Sequence, residues 1–163
     1  MEVNYNSLTK WFDEYFATFN RSAGPLATAV KMKQFFADDL EFVPLNMAGA
    51  KPLNREGLLL TMIHPGLHEH LTPRQYVIDL QKMIVVAHFQ VQFSDEPSGQ
   101  VWPPKQASAH YYLAQDSKGD LKIKKIIYFM EQRPPEESNF RPLWAKNREK
   151  ELAANPKLAA QLK

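Results

Sequence analysis

The stretch Ala87-His88-Phe89-Gln90-Val91-Gln92-Phe93 alternates apolar and polar residues without a break. That period of two belongs to an antiparallel strand with one face buried and the other in solvent. A second run of the same kind, Ala107-Ser108-Ala109-His110-Tyr111-Tyr112-Leu113, follows after a connection rich in Pro and Gly, SDEPSGQVWPPK at 94–105. DSKGD at 116–120 reads as a hairpin turn with Gly119 at its positive-φ position. LKIKKIIYFMEQ at 121–132 then forms a third strand that finishes apolar on both faces.

Upstream of Tyr76 the period is helical. Leu8, Trp11, Phe12, Tyr15, Phe16 and Phe19 fall at i, i+3, i+4, i+7, i+8 and i+11, one face of a helix. Ser7 is the expected N-cap and Gly24 the break. Pro25 suits the first turn of a second helix over 25–36, and Asp38 and Asp39 close that run with their charges in solvent. DLEFVPL at 39–45 reads as a short strand, NMAGAKPLN at 46–54 as a loop, and Asn54 as the cap of a third helix that Pro65 and Gly66 terminate. Helices first and hairpin-connected strands afterwards give an α+β fold with an antiparallel sheet.

The chain has 163 residues, no cysteine and a net charge of +2. It is long enough for one self-sufficient core. Disulfides, thiolate metal sites and cysteine nucleophiles are excluded. The small net charge argues against nucleic acid as a partner. Runs such as MIVVA and IIYFM fall far short of the roughly 20 apolar residues that a membrane helix needs. With no secretory signal pattern at the N-terminus, a cytoplasmic location is expected. From Lys118 onward there are 11 basic and 6 acidic residues, against 9 and 12 before it. The expected division is a domain over 1–135 and a charged helical extension over 136–163.

The order of elements resembles the nuclear-transport-factor-like superfamily, the α+β cone that includes ketosteroid isomerases, scytalone dehydratase and SnoaL-like cyclases. The resemblance covers roughly residues 5 to 133. It rests on FFADDLEF (35–42), NREGLLLTMI (54–63), HEHLTPRQYVIDL (68–80), VAHFQVQF (86–93) and DSKGDLKIKKIIYFME (116–131). It implies three N-terminal helices packed on a curved antiparallel sheet, with a pocket between them and dimerisation through the sheet. Tyr15 matches the isomerases' helix-one tyrosine, whereas Pro44 and Ala109 stand where their two acids would be. Proton abstraction beside a carbonyl needs a base as well as an oxyanion donor, so that machinery is incomplete. His70, in HEHLT, matches the catalytic histidine of the dehydratase branch, and Asn20 lies near the place of that branch's aspartate.

Other residues have plainer readings. His64, His68 and His70 are clustered, but Pro65-Gly66 breaks the helix between the first two and no further ligand set is evident, so no metal is expected. His88 and His110 fall on the polar sides of their strands. No phosphate-cradling glycine loop or nucleophile elbow is present, and no organic cofactor is expected. The expected pocket is aromatic, with Phe19, Phe36, Phe42, Phe89 and Tyr111 as ligand-binding walls and Tyr15 and His70 as its catalytic polar groups. It suits a small apolar organic ligand in a homodimeric protein. The alternatives are a cofactor-independent lyase, cyclase or isomerase with His70 as base and Tyr15 as donor, and a protein-interaction module using the pocket rim and the basic tail.

Overall fold

The computed structural model describes residues 2–21, 24–46, 50–134, 137 and 140–163. The middle of the expected loop, 47–49, and the expected domain boundary at 135–136 lie outside them. Helix α1 (Tyr5–Asn20) starts earlier than expected, because Asn4 and not Ser7 is its N-cap. The Ser7 amide donates to Asn4 Oδ1 and the Asn4 amide to Ser7 Oγ, both at 2.9 Å. This reciprocal pair satisfies two backbone donors that a helix start leaves unpaired. Leu8, Phe12, Tyr15, Phe16 and Phe19 are buried along one face, as the spacing requires.

Helix α2 (Leu26–Met32) is shorter than its apolar run, tightening into a 3-10 turn at Lys33–Phe35. Strand β1 (Phe36–Pro44) begins there, three residues ahead of the expected strand, because Phe36 already pairs with Ile123. β2 (Leu53–Asn54) is brief, and Asn54 caps α3 (Arg55–Thr61) by accepting from the Gly57 amide at 2.9 Å. The remaining strands are β3 (Leu67–Asp79), β4 (Ile84–Asp95), β5 (Gln100–Val101), β6 (Lys105–Gln115) and β7 (Leu121–Met130). Gly119 in the β6–β7 turn has φ +81°.

The sheet runs β2-β1-β7-β6-β4-β3, with β5 beside β4. One pairing departs from the expected antiparallel pattern: β1 lies parallel to β7. Their connection is a long crossover through the rest of the chain, which is what a parallel neighbour requires. The alternation of β4 holds throughout, with Val85, Ala87, Phe89, Val91 and Phe93 inside. The face of α1 lies against this inner surface. Phe12 and Tyr15 contact Tyr111, at 4.9 and 5.7 Å between ring centroids, and Phe16 contacts Phe89 at 5.4 Å. Each such ring carries a large burial gain and a few tenths to about 1 kcal/mol of ring–ring attraction.

The C-terminal segment is not a solvated appendage. It forms α4 (Arg141–Trp144), α5 (Arg148–Ala154) and α6 (Pro156–Ala159), then a 3-10 turn at Ala160–Leu162. Phe140 is fully buried, stacked on Phe93 at 4.0 Å and edge-on to Trp102 at 5.7 Å. Leu162 is also buried, and the Lys33 ammonium donates to the Gln161 carbonyl at 2.7 Å. Burial of Phe140 alone contributes about 1.5–3 kcal/mol. Phe140 and Leu162 thus belong to the same buried core as α1 and the sheet.

Candidate functional site

Between α1, α3, the inner sheet face and the tail lies a cavity of about 350 Å³. Alternation along the strands decides what enters it. β4, β6 and β7 contribute Phe89, Tyr111, Ile126 and Tyr128, and β3 contributes Glu69 and Leu71. Helix α1 adds Tyr15 and Phe19, α3 and its end add Leu58 and Met62, and β1 adds Phe42 and Pro44. Trp144 and Arg148 close it from the tail.

Phe19, Phe42, Phe89 and Tyr111 thus line the cavity, as does Tyr15. Phe36 does not. It is buried behind Tyr15, with ring centroids 6.2 Å apart, and supports that ring rather than the cavity wall. His70 is also outside. It lies well inside β3 opposite Gln92, where its parity turns it onto the exposed outer face. The expectation that His70 is a pocket base is corrected by one residue: Glu69 faces inward and is 8% exposed. Asn20 makes no acid–base partner for a histidine. Its side chain accepts from the Leu71 amide at 2.8 Å and donates to the Leu71 carbonyl at 2.7 Å, tying the end of α1 to β3 beside Glu69.

The histidine cluster is divided by the sheet. His68 points out near Glu96, while His64 is completely buried. Among the described residues no three His, Asp or Glu side chains gather in a way that could hold a metal ion. The His64 backbone is held by Gly24, whose carbonyl accepts from the His64 amide at 2.8 Å. A Cβ on Gly24 would meet the His64 carbonyl at 2.7 Å, and its φ of +111° is glycine's territory. That close approach fixes the ring. His64 Nδ1 lies 2.7 Å from the Leu67 carbonyl oxygen, which can only accept, so Nδ1 carries a proton. His64 Nε2 has no hydrogen-bond partner among the described residues and sits 3.6 Å from Glu69 Oε2. The imidazole and the carboxylate thus stand close together without a direct hydrogen bond between them.

Three phenols stand near this pair. Burial pushes the Tyr15 hydroxyl well above the ordinary tyrosine value, and the Glu69 charge adds to the rise, while its bond with Tyr111 opposes it. Tyr111 is raised by burial and by the same bond. Tyr128 is raised by burial, then by Glu69 and Tyr15. The site therefore joins apolar walls to buried phenols beside a close carboxylate–imidazole contact.

No protein-family model matches the chain, and no curated protein sequence matches it. Solved structures do match in fold. ActVI-ORFA from Streptomyces coelicolor superposes with a TM-score of 0.59 at 10% identity, covering 78% of this chain and 97% of its own. PrhC from Penicillium brasilianum gives 0.53 at 12% identity, covering 92% and 94%. An NTF2-like protein of unknown function from Exiguobacterium gives 0.54 at 13% identity, covering 75% and 98%. The chain has the nuclear-transport-factor-like α+β fold.

The phenols make the fold sensitive to alkali. Tyr15, Tyr111 and Tyr128 are raised mainly by burial, as is Tyr76, to whose rise Asp13 adds. A raised folded value means that the neutral form is favoured by folding. The associated stability is complete below the ordinary value of 10.0 and is lost as pH climbs beyond it. Urea unfolding at successive pH should show stability falling above about pH 10, with phenolate absorbance from these four groups arriving together with unfolding. Their ionisation at the ordinary pH in a fully folded chain would contradict this placement.

Proposed function

We propose that the protein binds a small, mostly apolar organic molecule in the cavity enclosed by α1, the sheet and the tail. The observation that carries this reading is a cavity of about 350 Å³ with mostly apolar and aromatic walls, on which Tyr15, Tyr128 and Glu69 converge, a size suited to a compact organic ligand. The fold neighbours support it, since a Catenulispora acidiphila protein of this fold (TM-score 0.53, 16% identity) is described in complex with S-DNPA.

A homodimer through the outer sheet face belongs to the same reading. Val77, Val86, His110, Ile127 and Val43 stand side by side in register across five strands of that face. Val77 is 59% exposed. Such an apolar row on an open face suits a second copy of the chain. Native mass spectrometry of the purified protein reads both features, with a dimer carrying added small-molecule mass or taking up 2-naphthol. Leu58→Trp, which fills the cavity, should abolish uptake and leave the dimer intact. Uptake unchanged in Leu58→Trp, or a monomer at micromolar concentration, would sink the corresponding claim.

A second reading, a cofactor-independent lyase, cyclase or isomerase, is favoured by the Glu69–His64 pair. Glu69 takes the proton, His64 holds it in place, and Tyr15 donates to the oxygen on which charge develops. A solved ketosteroid isomerase-like protein shares the fold, with a TM-score of 0.51 at 12% identity. Solvent deuterium exchange into 2-tetralone, an enolisable ketone, tests this. Wild type should accelerate exchange, Glu69→Gln should lose about a hundredfold or more, and His70→Ala should change nothing. Equal rates for wild type and Glu69→Gln would remove the catalytic reading.

A further inference from the structure

The tail places Arg148, at the start of α5, on the cavity wall close to Trp144, at the end of α4. The Trp144 side chain lines the cavity, and its indole N–H is buried with no acceptor among the described residues. Four residues on, Arg148 lines the same cavity. Its Nε donates to the Ile63 carbonyl at 3.1 Å and Nη2 to the Trp144 carbonyl at 3.4 Å. Those two bonds hold the guanidinium at a fixed angle while leaving Nη1 open. Among the described residues no carboxylate lies within ion-pair distance of it. Burial disfavours its charge, and no acidic neighbour offsets that.

Half-buried cations in proteins are normally paired, because desolvating a charge without a partner is costly. An anion with two acceptor oxygens in the cavity supplies the partner that Arg148 lacks. The charge of the cavity agrees. Lys51, exposed on the wall, and Arg148 are cations, and the one carboxylate that lines it, Glu69, faces His64.

Resting on the small-molecule reading above, we propose that the ligand is an organic carboxylate, its anionic end received by Arg148 and its apolar body lying toward Tyr15 and Phe89. The tail is then part of the binding site, and Arg148 sets the preference for acids over their neutral counterparts. Arginine suits the task because its planar fork matches the two oxygens of a carboxylate.

The test compares 2-naphthoate with 2-naphthamide, which has the same ring and no charge, by isothermal titration calorimetry on the full chain. Wild type should bind naphthoate about tenfold more tightly or better, a hydrogen-bonded charge being worth that much. Arg148→Met, which keeps the alkyl stem, should weaken naphthoate far more than naphthamide and so erase the preference. Circular dichroism checks that each variant is folded. If Arg148→Met does not fold, Arg148→Lys replaces it and should weaken naphthoate selectively. Naphthamide binding as well as naphthoate, or a preference that survives Arg148→Met, would overturn the assignment and leave the small-molecule reading standing. Binding of neither probe would remove both.

Discussion

Side-chain parity along the long strands is the constraint from which the rest of the molecule follows. Successive residues of a strand face opposite sides, so a slip of one residue exchanges the buried and exposed sets. In β4 the inner set is apolar throughout and the outer set is mostly polar. Pairing with β3 and β6 then fixes which residues of those strands face the helices. The aromatic stripe of α1 packs on that inner surface, and the cavity is the part of it that the helices and tail leave unfilled. Glu69 and Leu71 enter the cavity for the same reason that Phe89 does.

A carboxylate and an imidazole are costly to bury, and the fold offsets the cost locally. The Leu67 carbonyl takes the Nδ1 proton, Gly24 lets the backbone approach closely enough to hold His64, and Asn20 pins β3 beside Glu69. His64 Nε2 has no hydrogen-bond partner among the described residues, and it lies 3.6 Å from Glu69 Oε2. Buried polar atoms are usually satisfied, so an exception paired with a carboxylate on a cavity wall is where chemistry is to be sought. The tail follows the same logic at the other wall. Its Phe140 plugs the end of the core by stacking on Phe93, and that anchor positions Trp144 and Arg148.

Much of this architecture is legible in the sequence because it is written in periods. The α1 stripe and the alternation of β4 and β6 each repeat often enough to identify element and face. The site is harder to read. HEHLT looks like a junction before the sheet, so His70 attracts attention as the titratable residue, yet strand β3 already begins at Leu67. The signal was present in the pattern Leu67-x-Glu69-x-Leu71, an acid on the apolar parity. His64 carries no such sign, since it follows a helix end and is brought to Glu69 only by the turn at Pro65-Gly66. Phe140, Trp144 and Arg148 are too sparsely spaced to show a face, and their role depends on contacts with residues far away in the chain. Phe36 is a true core aromatic, but burial does not say on which side of Tyr15 a ring will lie.

The inward placement of Glu69 and the outward placement of His70 carry the account of the site. The chain contains no cysteine, so single thiols introduced at the two positions report on them alone. The direct measurement is the rate at which a bulky maleimide labels folded Glu69→Cys and His70→Cys, relative to each variant in denaturant. The structure predicts near-full reactivity for His70→Cys and strong protection for Glu69→Cys, relieved only by unfolding. Rapid labelling of Glu69→Cys together with protection of His70→Cys would place β3 in the opposite register and contradict the site.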